Sequence, residues 1–348
     1  MIYLKSKPMK VIKLSIAIGC SLLLFISCKE TSKLPVIKAD IITEKTPNDS
    51  DDPAIWVNPN DPTKSIIFGT DKESEGGIYA FDLNGKILPE KSIKNIKRPN
   101  NVDVAYGFRL SDSTKTDVVV FTEREKQQIR MYSVPDMQPL DNGGFKVFED
   151  ATEPEHNLPM GVALYTSPNS GKLYAIVGRK TGPKDNYLYQ YEIGYNGNSA
   201  TASLVRKFGK FSEKKEIEAI AVDNELGFIY YSDEQHGVRK YFAEPSKGNQ
   251  EIAIFGTDKF KEDIEGIAIA KTENDNGYIL ISNQQQGEFN IFDRKTNAFI
   301  KAVNLGTTET DGCDATTVNL GAKFPNGLFV AMNDNKDFYF YDLQKIVP

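Results

Sequence analysis

Cysteine and histidine are scarce. The 348 residues hold three cysteines and two histidines. Cys20 and Cys28 fall in or at the end of an apolar leader, so a mature chain keeps only Cys313 for internal chemistry, and no intramolecular disulfide can form. His156 and His236 have no cysteine near them, which argues against a zinc-type site. Long Lys/Arg runs are absent too. With a formal net charge of -6 and a pI near 5.3, nothing here suits nucleic acid. No stretch keeps helical periodicity over three turns, which points to an all-β chain.

Long hydrophobic runs are also missing, with one short exception. Leu14 to Ile26 is apolar but too short for a comfortable membrane-spanning helix. It follows Lys5, Lys7, Lys10 and Lys13 and ends Phe25-Ile26-Ser27-Cys28. Residues 1–28 are therefore expected to be a lipoprotein-type signal, with Met9 as a second possible start and Cys28 lipidated after cleavage. The expected location is exported, on the bacterial outer membrane or cell surface, with the membrane touched only through that lipid. Residues 29–38 would be a tether and 39–348 one domain, monomeric.

What the chain does have is a pattern repeated six times. Short apolar segments open at Asp52, Asn101, Met160, Glu218, Glu265 and Asp314, at spacings of 47 to 59 residues. Each is followed by a second and a third apolar run, separated by turns rich in Asn, Asp, Gly or Ser. A period near 50 with three or four strands per unit is the signature of a β-propeller, here six-bladed. The last unit ends after its third strand, so the β-branched Ile41–Thr43 stretch is expected to close the ring as the outer strand of the last blade.

Four of the six opening residues are carboxylates, although an apolar strand needs no acid at its mouth for packing. Asp51, Asp103, Asp263 and Asp311 stand beside the same slot. Strands in a blade are antiparallel, so the second-strand ends share this face. There Lys72, Arg124 and Lys180 follow one another in three consecutive units. A dense acid ring needs neutralising, and hard oxygen ligands suit several Ca²⁺ ions. The candidate metal ligands are Asp52, Asn101, Asp103, Glu218, Asp263, Glu265, Asp311 and Asp314. Acids that hold a metal beside free cations suit a phosphate group. A calcium-binding propeller that recognises a protein or glycan, or one that hydrolyses lactones, would share the acids but has less use for three cations.

Several of these segments resemble the motifs of the β-propeller phytases: Asp51-Asp52-Pro53-Ala54-Ile55-Trp56-Val57, Asn100-Asn101-Val102-Asp103, Asp263-Ile264-Glu265-Gly266, Asp311-Gly312-Cys313-Asp314 and Gly327-Leu328-Phe329-Val330-Ala331. The resemblance runs from about Asp51 to Asp334. It implies a calcium-dependent phosphomonoesterase acting on myo-inositol hexakisphosphate (phytate), free or as its calcium complex, by direct in-line attack of water. It also implies that Asp52, Glu218, Glu265, Asp311 and Asp314 bind calcium, and that Lys72, Arg124, Lys180 and Glu234 form the phosphate pocket. Glu73 stands where a second Lys is common in that family, Met160 where a Tyr is common, and Ala219 where a Gly is common. The first two bear on substrate preference. Other phosphate chemistries lack their motifs: no Arg follows Cys313 in a phosphate loop, neither histidine has an Arg-His-Gly setting, and Gly76-Gly77 and Gly143-Gly144 are turns.

Overall fold

Val118, Val119, Val120 and Phe121 sit in one strand, Lys115–Glu123, and all four side chains are buried. In a strand, neighbouring side chains point to opposite faces, so both faces of this sheet must be covered. Val118 and Val120 join one apolar cluster and Val119 and Phe121 join another. The same division recurs around the molecule. Six clusters fill the six seams between successive sheets, and the last, built on Ile55, Ile67 and Phe81 with Val330, Phe338 and Phe340, joins the last sheet to the first. The computed structural model describes Ile2 and residues 32–348; the signal, Cys20 and Cys28 fall outside the described residues.

Six four-stranded antiparallel sheets make a six-bladed β-propeller with no α-helix among the described residues. Blade 1 runs Ser50–Trp56, Ile66–Asp71, Gly76–Phe81 and Ile93–Ile96. Blade 2 begins with Val102–Arg109 and Lys115–Glu123, and blade 3 with Pro159–Thr166 and Leu173–Arg179. Blade 4 opens with Ile220–Asp223 and Phe228–Asp233, blade 5 with Ile267–Lys271 and Gly277–Asn283. Blade 6 consists of Cys313–Thr316, Leu328–Asn333 and Asp337–Asp342, and its outer strand is Ile41–Ile42. Ile41 faces Phe340 and Ile42 faces Tyr339 in the antiparallel register.

The extra length of the third repeat is a long outer hairpin, Asp185–Tyr195 with Ala200–Lys210. That of the second is mostly loop around a two-residue strand, Phe145–Lys146. Before the closing strand, the chain also touches blade 5: Val36 pairs in parallel with Asn304, and Ile37 N–H donates to the Asn304 carbonyl at 2.8 Å. One seam depends on a missing side chain, because a Cβ at Gly69 in blade 1 would run into the Phe338 ring of blade 6. None of the helical turns is long and apolar enough to cross a membrane among the described residues.

Candidate active site

One hydrogen bond recurs in every blade and sets the site. The first residue past the second strand donates its N–H to a carbonyl just ahead of the first strand. The pairs are Lys72 to Asp49, Arg124 to Arg98, Lys180 to Leu158, Glu234 to Glu216, Gln284 to Asp263 and Asp334 to Thr308, at 2.6 to 3.4 Å. This clasp is why the strand-end cations and the strand-start acids share one face. Three of the six openings, Asp52, Met160 and Asp314, lie within the first strands; Asn101 stands one residue before its strand, which starts at Val102, and Glu218 and Glu265 stand two residues before theirs, which start at Ile220 and Ile267.

The predicted acids divide into three groups. Asp52, Asp103 and Asp314 line the central channel, a cavity of about 170 Å³ that Asn101 and Glu265 also border. Their carboxylates bind the next blade's backbone: Asp314 Oδ2 accepts Ile55 N–H at 2.7 Å, Asp52 Oδ2 accepts Val102 N–H at 3.0 Å, and Asp103 Oδ2 accepts Leu164 N–H at 2.7 Å. Burial raises all three. Asp103 is pushed up to about 7 and Asp314 to about 6, the amide bonds opposing the shift, and Asp52 goes well above the usual range.

The second group surrounds Lys72. Its ammonium lies 2.5 Å from Asp51 Oδ1 and 3.0 Å from Asp311 Oδ2. Asn100 Nδ2 donates to Asp51 Oδ2 at 3.3 Å and to Glu218 Oε1 at 3.5 Å, and Gln284 Nε2 donates to Asp311 Oδ1 at 2.7 Å. Burial opposes the charge on Lys72, but Asp51, Glu218 and Asp311 outweigh it and hold the ammonium above its ordinary value. Burial, with Asp51 next, raises both Glu218 and Asp311.

The third group is Glu234, Asp263 and Glu265, whose carboxylate oxygens gather within 4.8 Å of one another. Lys215 reaches into it, 3.1 Å from Glu234 Oε2, 2.5 Å from Asp263 Oδ2 and 3.9 Å from Glu265 Oε1. Burial first, then the neighbouring Glu218, pushes Glu234 up to about 9 despite Lys215. Glu265 is raised well above the usual range by burial and by Glu218 and Glu234. Beyond ion pairs, Glu234 Oε1 and Oε2, Asp263 Oδ1, Glu265 Oε2, Asp51 Oδ1 and Asn101 Oδ1 are buried without a hydrogen bond. Buried oxygens left unpartnered are costly, and an all-oxygen donor set of this kind fits Ca²⁺.

The cations differ in their surroundings. Lys180 pairs with Glu216 at 2.7 Å. Arg124 is buried, its Nε lacks a partner, and no carboxylate pairs with it among the described residues. Burial, only partly offset by Glu218, pulls Arg124 below the usual arginine range. Sequence reasoning missed Lys215, Glu216, Asn100, Gln284 and Gln285, which donates to Asp263 at 2.5 Å. Lys215, Glu216 and Gln285 occupy no repeat-defined slot, whereas Gln284 stands in blade 5 where Lys72, Arg124, Lys180 and Glu234 stand in theirs, and Asn100 precedes Asn101 as Asp51 precedes Asp52. For Lys215 and Glu216 the signal was their adjacency to Glu218, and for Gln284 and Asn100 it was their place in the repeat.

The geometry has counterparts among known proteins. A sequence profile of the family described as Phytase matches residues 10–338. The chain is 31% identical over 302 residues to the 3-phytase of Bacillus subtilis (strain 168), an alignment covering 82% of this chain and 74% of that protein. Among solved structures, the WD40 β-propeller domain of Doa1 has a TM-score of 0.52 at 8% identity, covering 87% of this chain and 95% of that one, a likeness of fold alone.

Proposed function

The chain belongs to the phytase family and is a phytase, and from that premise we propose that it removes phosphate from phytate with calcium held in the acid clusters and water attacking phosphorus in line. The observation that carries this reading is the set of buried carboxylate and amide oxygens without hydrogen bonds, gathered beside a buried and unpaired Arg124. Glu234, Asp263 and Glu265 would hold an ion on one side of the mouth, and Glu218 and Asp311 on the other, with Asp51 beside them. Asp52, Asn101, Asp103 and Asp314 would supply further oxygens along the channel. Bound calcium supplies positive charge that neutralises the acids and polarises phosphoryl oxygens.

The protein's own groups do the rest. Arg124 offers a forked pair of donors with no competing carboxylate, which suits two oxygens of one phosphoryl group. Lys72 and Lys180 add point charges, each held in place by carboxylates: Lys72 by Asp51 and Asp311, Lys180 by Glu216. Charge spread over the equatorial oxygens in the transition state is stabilised by cations fixed in advance. Glu234 would orient the attacking water, and its raised pKa places its proton-holding form at neutral pH until positive charge draws the proton off.

Phosphate release from phytate by the purified mature domain, measured with calcium and in excess chelator, tests this reading. Release that persists undiminished in chelator would remove calcium from it. We also propose export with a lipid on Cys28. A Cys28→Ser protein should then move from the membrane to the soluble fraction, and unchanged membrane retention would contradict the anchor.

A further inference from the structure

Arg98 supplies the carbonyl of the recurring clasp in blade 2, and its backbone is strained. Its φ is 54°, in the left-handed region, and it precedes Pro99. A bulky side chain is uncommon in that region, and a following proline pushes a residue toward extended backbone. Such conformations persist where the surroundings impose them, and they concentrate at functional positions. Here two hydrogen bonds impose it. Arg98 N–H donates to the Glu73 carbonyl at 3.0 Å, and the Arg98 carbonyl accepts Arg124 N–H at 3.1 Å. Glu73 follows Lys72 in blade 1, and Arg124 is the first residue past the second strand of blade 2. The strained residue is therefore held by backbone bonds to Glu73, the neighbour of Lys72, and to Arg124.

Its own guanidinium makes no ion pair and no side-chain hydrogen bond among the described residues. Arg124 is likewise without a carboxylate, and the Arg98 charge is one of those acting against its protonation. The two guanidiniums repel, and an anion held between them removes the repulsion. Resting on the phytate-hydrolysis reading above, we propose that Arg98 is a substrate-binding residue that contacts a phosphate group of the substrate beside Arg124. Arg98 makes no ion pair or side-chain hydrogen bond with the acid clusters among the described residues, so its loss should act on KM more than on kcat.

The test is an Arg98→Asn variant of the mature domain, because Asn tolerates the left-handed region and a merely structural Arg would be replaced without harm. The melting temperature should hold or rise. KM for phytate should increase roughly tenfold, the size of one charge-assisted hydrogen bond, with kcat within about twofold. Arg98→Lys should fall between wild type and Asn, since it keeps the charge and loses the fork. A wild-type KM in Arg98→Asn would overturn the assignment, as would a loss confined to kcat that tracks a fall in the folded fraction. If the wild-type domain released no phosphate from phytate, the hydrolysis reading itself would fail. Calorimetric titration of phytate into both proteins would then judge Arg98 alone: equal affinities overturn its role, and weaker binding by the variant supports it.

Discussion

Lys215 Nζ lies 2.5 Å from Asp263 Oδ2, a contact that reaches from the entry of blade 4 to the entry of blade 5. The ammonium thus stands in the middle of the Glu234, Asp263 and Glu265 oxygens, where a bound ion would also sit. It lends those buried acids a counter-charge before any metal arrives. Lys215→Met should therefore destabilise the chelated protein more than the calcium-loaded one. The gap between their melting temperatures should widen. An unchanged gap would show that Lys215 and calcium do not share this cluster.

Chelation should lower the melting temperature and stop phosphate release, and added Ca²⁺ should restore both. An ion that binds only the folded state stabilises it in proportion to the logarithm of its free concentration. The buried oxygens that lack hydrogen bonds make the folded state depend on that help. Calorimetric scans across a calcium titration check this, and a melting temperature that ignores calcium would refute it.

Arg124 and Lys180 should separate activity from stability. Arg124 is buried with an unpartnered Nε, so Arg124→Met removes a desolvated charge and should leave the melting temperature unchanged or higher. Its kcat/KM on phytate should fall by about one to three orders of magnitude, or roughly 1.4–4 kcal/mol of transition-state stabilisation. Lys180→Ala loses a half-exposed pair with Glu216 worth about 0–1 kcal/mol and should lose less activity than Arg124→Met. Two variants as active as wild type would show that the phosphate site lies elsewhere.

The acids also fix the sign of the pH dependence. In the folded, metal-free protein Asp314 sits near 6, Asp103 near 7 and Glu234 near 9. The unfolded chain holds the same groups at about 4. Between those values the folded state binds more protons than the unfolded one, so stability should fall as pH rises from about 4 to 9. Calcium competes with the same protons, and its contribution should grow over the same window. The melting temperature of the chelated protein should drop steadily from pH 5 to pH 9, and that of the loaded protein should drop less or rise. Parallel slopes would rule the acids out as calcium ligands.

Much of this was legible in the sequence because a repeat exposes equivalence. Lys72, Arg124, Lys180 and Glu234 follow their second strands as the spacing predicted. The acids were found for the same reason, but their division was not. Asp52, Asp103 and Asp314 turn to the neighbouring blade's amides, a choice that depends on the stagger of adjacent first strands and leaves no trace in composition. Lys215 and Arg98 escaped because each works across a seam. Lys215 is three residues from Glu218 but serves Asp263, and Arg98 is strained by Glu73 and Arg124 from two different blades.

The pair of Lys72 with Asp311 has a consequence for biosynthesis. The two residues are 239 positions apart, and Asp311 stands at the entry of the blade that Ile41–Ile42 completes. At about 5–20 residues per second a ribosome needs roughly 12 to 48 seconds to make the second partner after the first. Through that interval Lys72 has been translated while Asp311 and Asp314 have not. The candidate site is therefore incomplete until the sixth blade is made, and a nascent chain stalled before that blade carries five blades but not Asp311 and Asp314.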